Sequence, residues 1–532
     1  MTTHRLAMVP RLPRADHVAR FYITTAIDYA NGDPHIGHAY EKIGADAIAR
    51  YHRMAGYDVH FLIGMDEHGQ KVAQTAQARG VTPQQQVDTV AERFLDTWRR
   101  LGISHDQFMR TTDPRHIAGV RALLDRIFDR NPDDFFERSY EGWYCVGCEA
   151  FKQESEIADG KCLLHPTRTL EWVKERNWFF RLSRYQEFLR RHIEENREFI
   201  QPESRRNEVL GWLAQGLDDV SASRSRFSWG VPFPRPTSDG EKQTTYVWFD
   251  ALPNYLTATG FPESESERRW PASLHVIGKD ITRFHVIIWP AMLQAAGLPL
   301  PERVWAHGFV LLGGDRFSKS AGVKLDLDEA IDRYGADAFR YFLLREVPFD
   351  ADGNFSWERF EDRYTADLAN AWGNLVSRAA AMIEKYRGGV TPSAERGLRQ
   401  TADVASIAEY RSFLDGSKGY LLHEALSVVW RMVSKANEYV QSSAPWVVAK
   451  DESKSRQLDD ILGSLSRQIA TQCALLWPFM PQKSESAWRV MGGIGNLSDI
   501  RLDDLADLDT AGWKVTKGEP LFPKPQKTAE SR

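Results

Sequence analysis

The rhythm of apolar and polar positions changes twice along the chain and divides it into regions of different structure. In the first region, the β-branched and aromatic run at 21–27 (FYITTAI) reads as a buried strand that closes on dense turn formers from Asp28 to Pro34. A helical period then runs from His35 through GHAYEKIGADAIARYHRMAG, with Gly56 placed to end it. Residues 59–63 form a second apolar run, followed at once by Gly64-Met65-Asp66-Glu67-His68-Gly69. Strand, loop, helix, strand and loop predict a parallel sheet. Both polar loops then lie beyond the carboxyl ends of their strands, where such sheets bind ligands. Strand patterns return at 245–250 (TYVWFD), 274–278 (LHVIG) and 304–312.

Residues 131–224 follow a different pattern, with clustered cysteines, many Arg and Glu, and a helical stretch at 183–198. This segment reads as an insertion into the sheet domain. From about Phe360 onward strand signals stop, and amphipathic segments at 367–385, 422–441 and 458–476 predict an all-helical bundle. The expected fold is therefore α/β with a parallel sheet, interrupted by an insertion and followed by an all-α bundle.

Composition narrows the function classes. Of 532 residues, 42% are hydrophobic and 27% charged, which excludes a disordered or fibrous chain. A net charge of −5 excludes a polycation, so any nucleic acid must meet local basic patches. The longest apolar stretch, 286–300, is broken by Pro290, Gln294 and Pro299 and falls short of the roughly 20 residues of a membrane helix. Residues 1–19 are basic, with Arg5, Arg11 and Arg14, and carry no apolar core of signal-peptide type. Four cysteines do not make a disulfide scaffold, and a reducing, cytoplasmic setting is expected.

Three constellations carry chemistry. His35 and His38 share one face at a helix start, beside backbone N–H groups that the helix leaves unpaired, a geometry suited to a phosphate. Gly37 between them leaves room for a flat base against the backbone. Alone, this H-x-x-H pattern also fits capping or metal binding. The loop 313–322 (GGDRFSKSAG) combines mobile glycines, hydroxyl donors and the compact charge of Lys319, as a flap over a triphosphate does; a solvated turn fits the same string. Cys145-x2-Cys148-x13-Cys162-x2-His165 supplies three thiolates and an imidazole in two knuckles, the donor set of one tetrahedral structural zinc. Cys473 sits in an apolar helical stretch and reads as core. No G-x-G-x-x-G follows the first strand, so a dinucleotide site is not expected.

Taken in order, these motifs resemble the class I aminoacyl-tRNA synthetases. His35-Ile36-Gly37-His38 matches the HIGH signature letter for letter, and Arg316-Phe317-Ser318-Lys319-Ser320 matches the KMSKS loop, with Arg and Phe for Lys and Met. Tyr29-Ala30-Asn31-Gly32, Asp66-Glu67-His68-Gly69, Tyr246-Val247-Trp248-Phe249-Asp250-Ala251, Ile277-Gly278-Lys279-Asp280 and Ala444-Pro445-Trp446 are similar to the methionyl-tRNA synthetases in particular. Met65 stands where Thr is common in that family.

The resemblance implies a Rossmann-like catalytic domain over 20–130 and 225–311, behind a basic extension at 1–19. The zinc-knuckle insertion takes 131–224, the KMSKS loop and stem-contact region 312–365, the helical anticodon-binding domain 366–515, and a tail 516–532. It places His35, Gly37 and His38 at the ATP phosphates, Lys319 at the departing pyrophosphate, Asp280 at the ribose hydroxyls and Asp66 at the substrate ammonium. Ile27, Trp248, Ala251, Tyr255, Phe284 and His285 would form the methionine pocket, and Asn374, Arg378 and Trp446 would read the CAU anticodon. Mg2+ would accompany ATP, tRNA(Met) and methionine would be the other partners, and Cys145, Cys148, Cys162 and His165 would hold one zinc. Homocysteine would be the hard competitor, because a single methyl contributes only about 1–3 kcal/mol. Ending near Arg532 without a further RNA-binding domain, the chain is expected to be a monomer with no membrane contact.

Other substrates and classes fit less well. Leu, Val and Ile enzymes need a larger editing insertion, and a Cys enzyme needs zinc in the pocket itself. A small-molecule nucleotidyltransferase has no use for the helical half. A non-catalytic RNA-binding or zinc scaffold predicts decay of His35, His38, Asp280 and Lys319, all of which are present.

Overall fold

The computed structural model describes residues 18–146, 150–163, 165–225, 228–312, 315–316, 326–395 and 398–523. At its centre lies a seven-stranded sheet built from β1 (Arg20–Thr25), β2 (Asp28–Tyr29), β3 (Asp58–Asp66) and β4 (Gln107–Arg110), with strands Ile200–Gln201, Leu274–Gly278 and Val304–His307. β1 is central. It pairs on one side with β3, from Arg20↔Asp58 to Thr24↔Leu62, and on the other with Leu274–Gly278, from Ile23↔Leu274 to Thr25↔Val276. Every pairing in this sheet is parallel.

The strand period of two sends neighbouring side chains to two separate cores. Phe21, Ile23, Phe61, Ile63 and Val276 face one; Tyr22, Leu62 and Ile277 face the other. The first core also holds the buried face of α1 (Ile36–Met54) and continues without a break into the C-terminal helices, through Tyr341, Trp372, Leu426 and Leu465. The second is closed by the helices Pro114–Arg130 and Trp289–Ala296.

Arg340, fully buried on the helix Ala336–Glu346, ties the seven-stranded sheet to the helical half. Its guanidinium donates to Asp46 of α1 at 2.7 Å and to the Pro478 and Phe479 carbonyls, each at 2.9 Å. The helical half comprises Trp357–Arg363, Asn374–Arg387, Leu398–Ser412, Leu422–Ser443, Ser455–Leu476 and Pro481–Val490, with the wider π-helical stretch Tyr364–Gly373 between the first two.

Three sequence expectations change. The strand expected at 245–250 is a helix, Val247–Ala251, and only Thr244–Thr245 pairs as strand, with Ser223–Arg224. A short apolar run cannot separate a buried strand from a buried helical turn, because both hide most of their side chains. The run at 304–312 splits at Gly308. Val304–His307 stays in the main sheet, while Val310–Leu312 joins a second sheet with Gly353–Phe355 and Asp315–Arg316. A Cβ at Gly308 would stand 2.1 Å from the Ala351 carbonyl oxygen, so the break depends on glycine. Within 131–224, the antiparallel ribbon Phe135–Cys145 with Glu171–Phe180 was not foreseen, because charged residues fill its exposed positions. The chain is back in the main sheet at Ile200–Gln201.

Candidate active site

α1 begins at the strand-to-helix turn with His35 as its N-cap. The Gly37 N–H donates to His35 Nδ1 at 3.1 Å, and the His35 N–H donates to His38 Nδ1 at 3.2 Å. The two rings stack 3.6 Å apart at 24°. This corrects the expectation that the helix N–H groups stay unpaired: the imidazoles cap two of them. Each Nδ1 accepts, so a neutral ring at either position carries its proton on Nε2. Gly37 serves the capping ring as well. A Cβ there would lie 3.0 Å from His35 Cε1, so the glycine makes room for the histidine ring that caps it.

Beyond the carboxyl ends of β1, β3 and Leu274–Gly278 lies a cavity of about 40 Å³, lined by Ala26, Ile27, Asp66, Trp248, Ala251, Leu252, Tyr255, Ile281 and His285. Six of the seven residues expected for an amino-acid pocket line it. The seventh, Phe284, stacks on the Trp248 indole at 3.7 Å and 5° and backs that wall. Phe284 and His285 sit in a π-helical turn, Phe284–Ile288, which re-aims both side chains and leaves no mark in the hydrophobic period.

The cavity wall is uncharged apart from Asp66. His285 Nδ1–H donates to the Ile281 carbonyl at 3.1 Å, so Nε2 accepts from the Tyr255 hydroxyl at 2.8 Å. Burial pushes the His285 imidazole down to about 4, so it is neutral near pH 7. Below the wall, the Lys42 ammonium is fully buried and donates to the Ala26 carbonyl at 2.8 Å, to Asp28 at 2.8 Å and to Glu41 at 2.9 Å. One cation between two carboxylates leaves Asp28 pushed up to about 7 by burial, despite Lys42. Gly64 admits the wall from behind: a Cβ there would meet Ile27 Cγ2 at 2.8 Å and the Met109 carbonyl oxygen at 2.6 Å.

Asp280 follows Leu274–Gly278 in a single 3-10 turn and is exposed at the same sheet edge. A Cβ on Gly278 would reach within 2.8 Å of its carboxylate. The neighbouring Lys279 donates to Asp352 at 2.7 Å, which anchors this turn to the second sheet. Lys319, Cys148 and the His165 side chain lie outside the described residues, as do the side chains of Arg316 and Phe317. Cys145 and Cys162 are both buried in one small cluster with Leu170, and Cys162 pairs in register with His165. Among the described residues no group of three or more His, Cys, Asp or Glu is arranged to hold a metal.

In the helical half, Asn374 opens Asn374–Arg387 exposed, and Arg378 is half-buried one turn later. Trp446 follows Ala444, whose φ of 42° breaks the long helix, and the indole is 38% exposed. The Asn437 amide donates to the Ala371 carbonyl at 3.3 Å, linking the helix that leads to Trp446 with the one that leads to Asn374. No helix among the described residues is long and apolar enough to cross a membrane.

Ala26, Leu252 and Ile281 were missed as cavity walls, and only their neighbours at Ile27, Ala251 and Asp280 pointed there. The buried Lys42 was hidden by its place in an amphipathic helix, where a lysine normally faces water.

The family model for class I tRNA synthetases (M) matches residues 21–168 and 153–380. The methionine–tRNA ligase of Caldanaerobacter subterraneus is 44% identical over 514 residues, covering 95% of this chain and 78% of the relative. That of Streptomyces coelicolor is 42% identical over 525 residues, covering 95% and 96%. The structure of Mycobacterium tuberculosis methionyl-tRNA synthetase with methionyl-adenylate superposes with a TM-score of 0.88 at 39% identity, covering 95% of this chain and all of that one. The free form of the same enzyme gives 0.82 at 36% identity.

Proposed function

The chain belongs to the methionine–tRNA ligase family of class I tRNA synthetases, and on that premise we propose how its own residues carry the reaction. It joins methionine to ATP as methionyl-adenylate with release of pyrophosphate, then moves the methionyl group to the 3′ end of tRNA(Met) with release of AMP. One observation carries the assignment of residues: walls from three adjacent strand ends converge on a single cavity, and the stacked pair of imidazoles follows within a few residues of Ile27.

Methionine occupies the cavity with its ammonium on Asp66 and its thioether against Trp248, Tyr255 and His285, backed by Phe284. Sulfur–aromatic contacts favour this wall modestly. A neutral His285 keeps a competing cation away from the ammonium. The methionine carboxylate attacks the α-phosphorus, and pyrophosphate departs. His35 and His38 stabilise the charge that grows on the phosphate oxygens through their Nε2–H donors, which their Nδ1 caps hold in place. Such preorganised donors contribute roughly 3–4 kcal/mol each. Gly37 lets these rings fold back, Asp280 accepts from the ribose hydroxyls, and Lys319 grips the pyrophosphate accompanied by Mg2+. In the second step the terminal ribose hydroxyl of tRNA attacks the methionyl carbonyl, and AMP leaves.

Asn374, Arg378 and Trp446 read the anticodon. The exposure of Trp446 supports this role, since an unstacked base can lie on its indole while the amide and guanidinium meet base edges. One structural zinc is held by Cys145, Cys148, Cys162 and His165. The burial of Cys145 and Cys162 together and the Cys162–His165 register fit that donor set. When bound, the metal supplies a cross-link within the insertion and takes no part in the reaction. The functional division follows 20–130 with 225–311 and the strand at 200–201 for catalysis, the rest of 131–224 for the insertion, 312–365 for the stem contact and 366–515 for the anticodon, in a cytoplasmic monomer.

ATP–pyrophosphate exchange across the twenty amino acids tests this reading and is expected to respond to methionine alone. Response to a different amino acid overturns the pocket assignment. Trp446→Ala is expected to spare exchange while lowering aminoacylation of tRNA(Met).

A further inference from the structure

Asp250 has no role in the scheme above, yet it is fully buried and holds two imidazoles. Its Oδ2 accepts from His68 Nδ1 at 2.7 Å, and its Oδ1 accepts from His116 Nε2 at 3.0 Å. His116, also fully buried, passes the connection on through Nδ1 to Thr257 Oγ1 at 2.8 Å. Three members of this chain each stand two residues from a wall of the cavity: His68 from Asp66, Asp250 from Trp248, and Thr257 from Tyr255.

We propose that Asp250 is a positioning residue for the methionine pocket, a single carboxylate that sets the Asp66 loop, the Trp248 helix and the Tyr255 turn at fixed distances from one another.

The surroundings leave this task to Asp250. The loop after β3 is held from outside by Trp229, whose indole N–H donates to the Glu67 carbonyl at 2.7 Å and whose own carbonyl accepts the Gly69 N–H at 3.1 Å. From inside it is held by the His68–Asp250 bond. Glu67 points away, to Arg110 and Thr112, and is the other charged group beside His68. A buried carboxylate is costly without donors, so two converging N–H groups tolerate only a narrow geometry at Asp250. An amide in its place presents one acceptor and one donor to two donors, so one imidazole must let go or turn its tautomer against its other bonds.

This inference rests on the methionine-pocket reading, and the test separates the two. In the full-length enzyme, Asp250→Asn is expected to raise the methionine KM in exchange roughly 10- to 100-fold, the range for about an ångström of misplacement, with the ATP KM unchanged. A trio that served only folding would lower the active fraction and leave both KM values alone. His68→Asn places an amide N–H where Nδ1–H stood and is expected to keep the methionine KM near wild type, while His68→Leu raises it as Asp250→Asn does. The proposal is overturned if Asp250→Asn leaves the methionine KM unchanged, if both KM values rise together, or if His68→Asn is as poor as His68→Leu. Should Asp250→Asn not fold, the two His68 variants decide the matter. Trp248→Ala identifies the source of a failure: if it too leaves the methionine KM unchanged, the pocket reading has failed and not the positioning alone.

Discussion

Asp46 and Asp250 are both fully buried carboxylates, and they are neutralised by different chemistry. Asp46, on α1, meets the guanidiniums of Arg50 at 2.8 Å and Arg340 at 2.7 Å, with the Ser104 N–H at 2.7 Å and its hydroxyl at 2.6 Å filling the other oxygen. Burial alone would raise its carboxyl, but Arg50 and Arg340 hold it far below the usual carboxylate range. Asp250 meets only imidazoles. Burial is outweighed there too, by the charge of His68 and the bonds from both rings, and the carboxyl is held at about 2. His68 is in turn raised, its burial outweighed by Asp250. A guanidinium keeps its charge at any pH a protein survives, and an imidazole does not. The joint around Asp46 therefore keeps both its cations above neutral pH, while the proposed support of the pocket rests on imidazoles that lose theirs.

The sharpest way to break this contrast is to remove Arg340. Arg340→Ala takes one of two guanidiniums from the buried Asp46 carboxylate and its donor from three carbonyls at the joint, and the expected loss is about 3–5 kcal/mol in urea-induced unfolding. A loss no larger than that of a surface pair sinks the idea that the joint depends on it. A smaller effect sharpens the pH side. Because the folded pKa of His68 is raised, its contribution is complete below the unfolded value of about 6.5 and is lost as pH climbs through the folded one. Asp250 has the opposite sign: its contribution is complete above about 3.9 and is lost as pH falls through the folded value. The stability gap between wild type and His68→Asn is therefore expected to shrink by about 1 kcal/mol between pH 6 and pH 9, within the range of one charge-assisted hydrogen bond. Arg340→Ala is expected to show no such slope over that interval, and equal slopes would erase the distinction. The smallest effect belongs to Arg431→Ala, which removes the half-exposed pair with Glu409 between two helices of the bundle. It should cost less than about 1 kcal/mol and disappear in high salt, which isolates burial as the source of the larger numbers.

Much of the site was legible locally. The strand–turn–helix run through His35 and His38 is contiguous, and its turn formers and helical period are visible without a partner. The pocket residues came from matched motifs, and six of seven line one cavity. The misses share a physical cause. Val247–Ala251 was read as a strand because burial on all sides erases the period that separates helix from strand. Lys42 carried no signal, because beside the adjacent Glu41 its partners are Asp28 and the Ala26 carbonyl, outside its own helix. The π-helical turn that aims Phe284 and His285 is a local excess of one residue that hydrophobicity does not record.

By itself the chain determined most strands and helices around the main sheet and the turns between them, and it set two imidazoles three residues apart at the start of α1. These follow from residues a few positions apart, where the backbone period decides what meets. Only the tertiary structure decided that Asp250 would meet His68 and His116, 182 and 134 residues away, and that Arg340 would reach Asp46 across 294. Such meetings depend on sheet order and helix placement, which the packing of the whole core sets, and no stretch of sequence carries them alone.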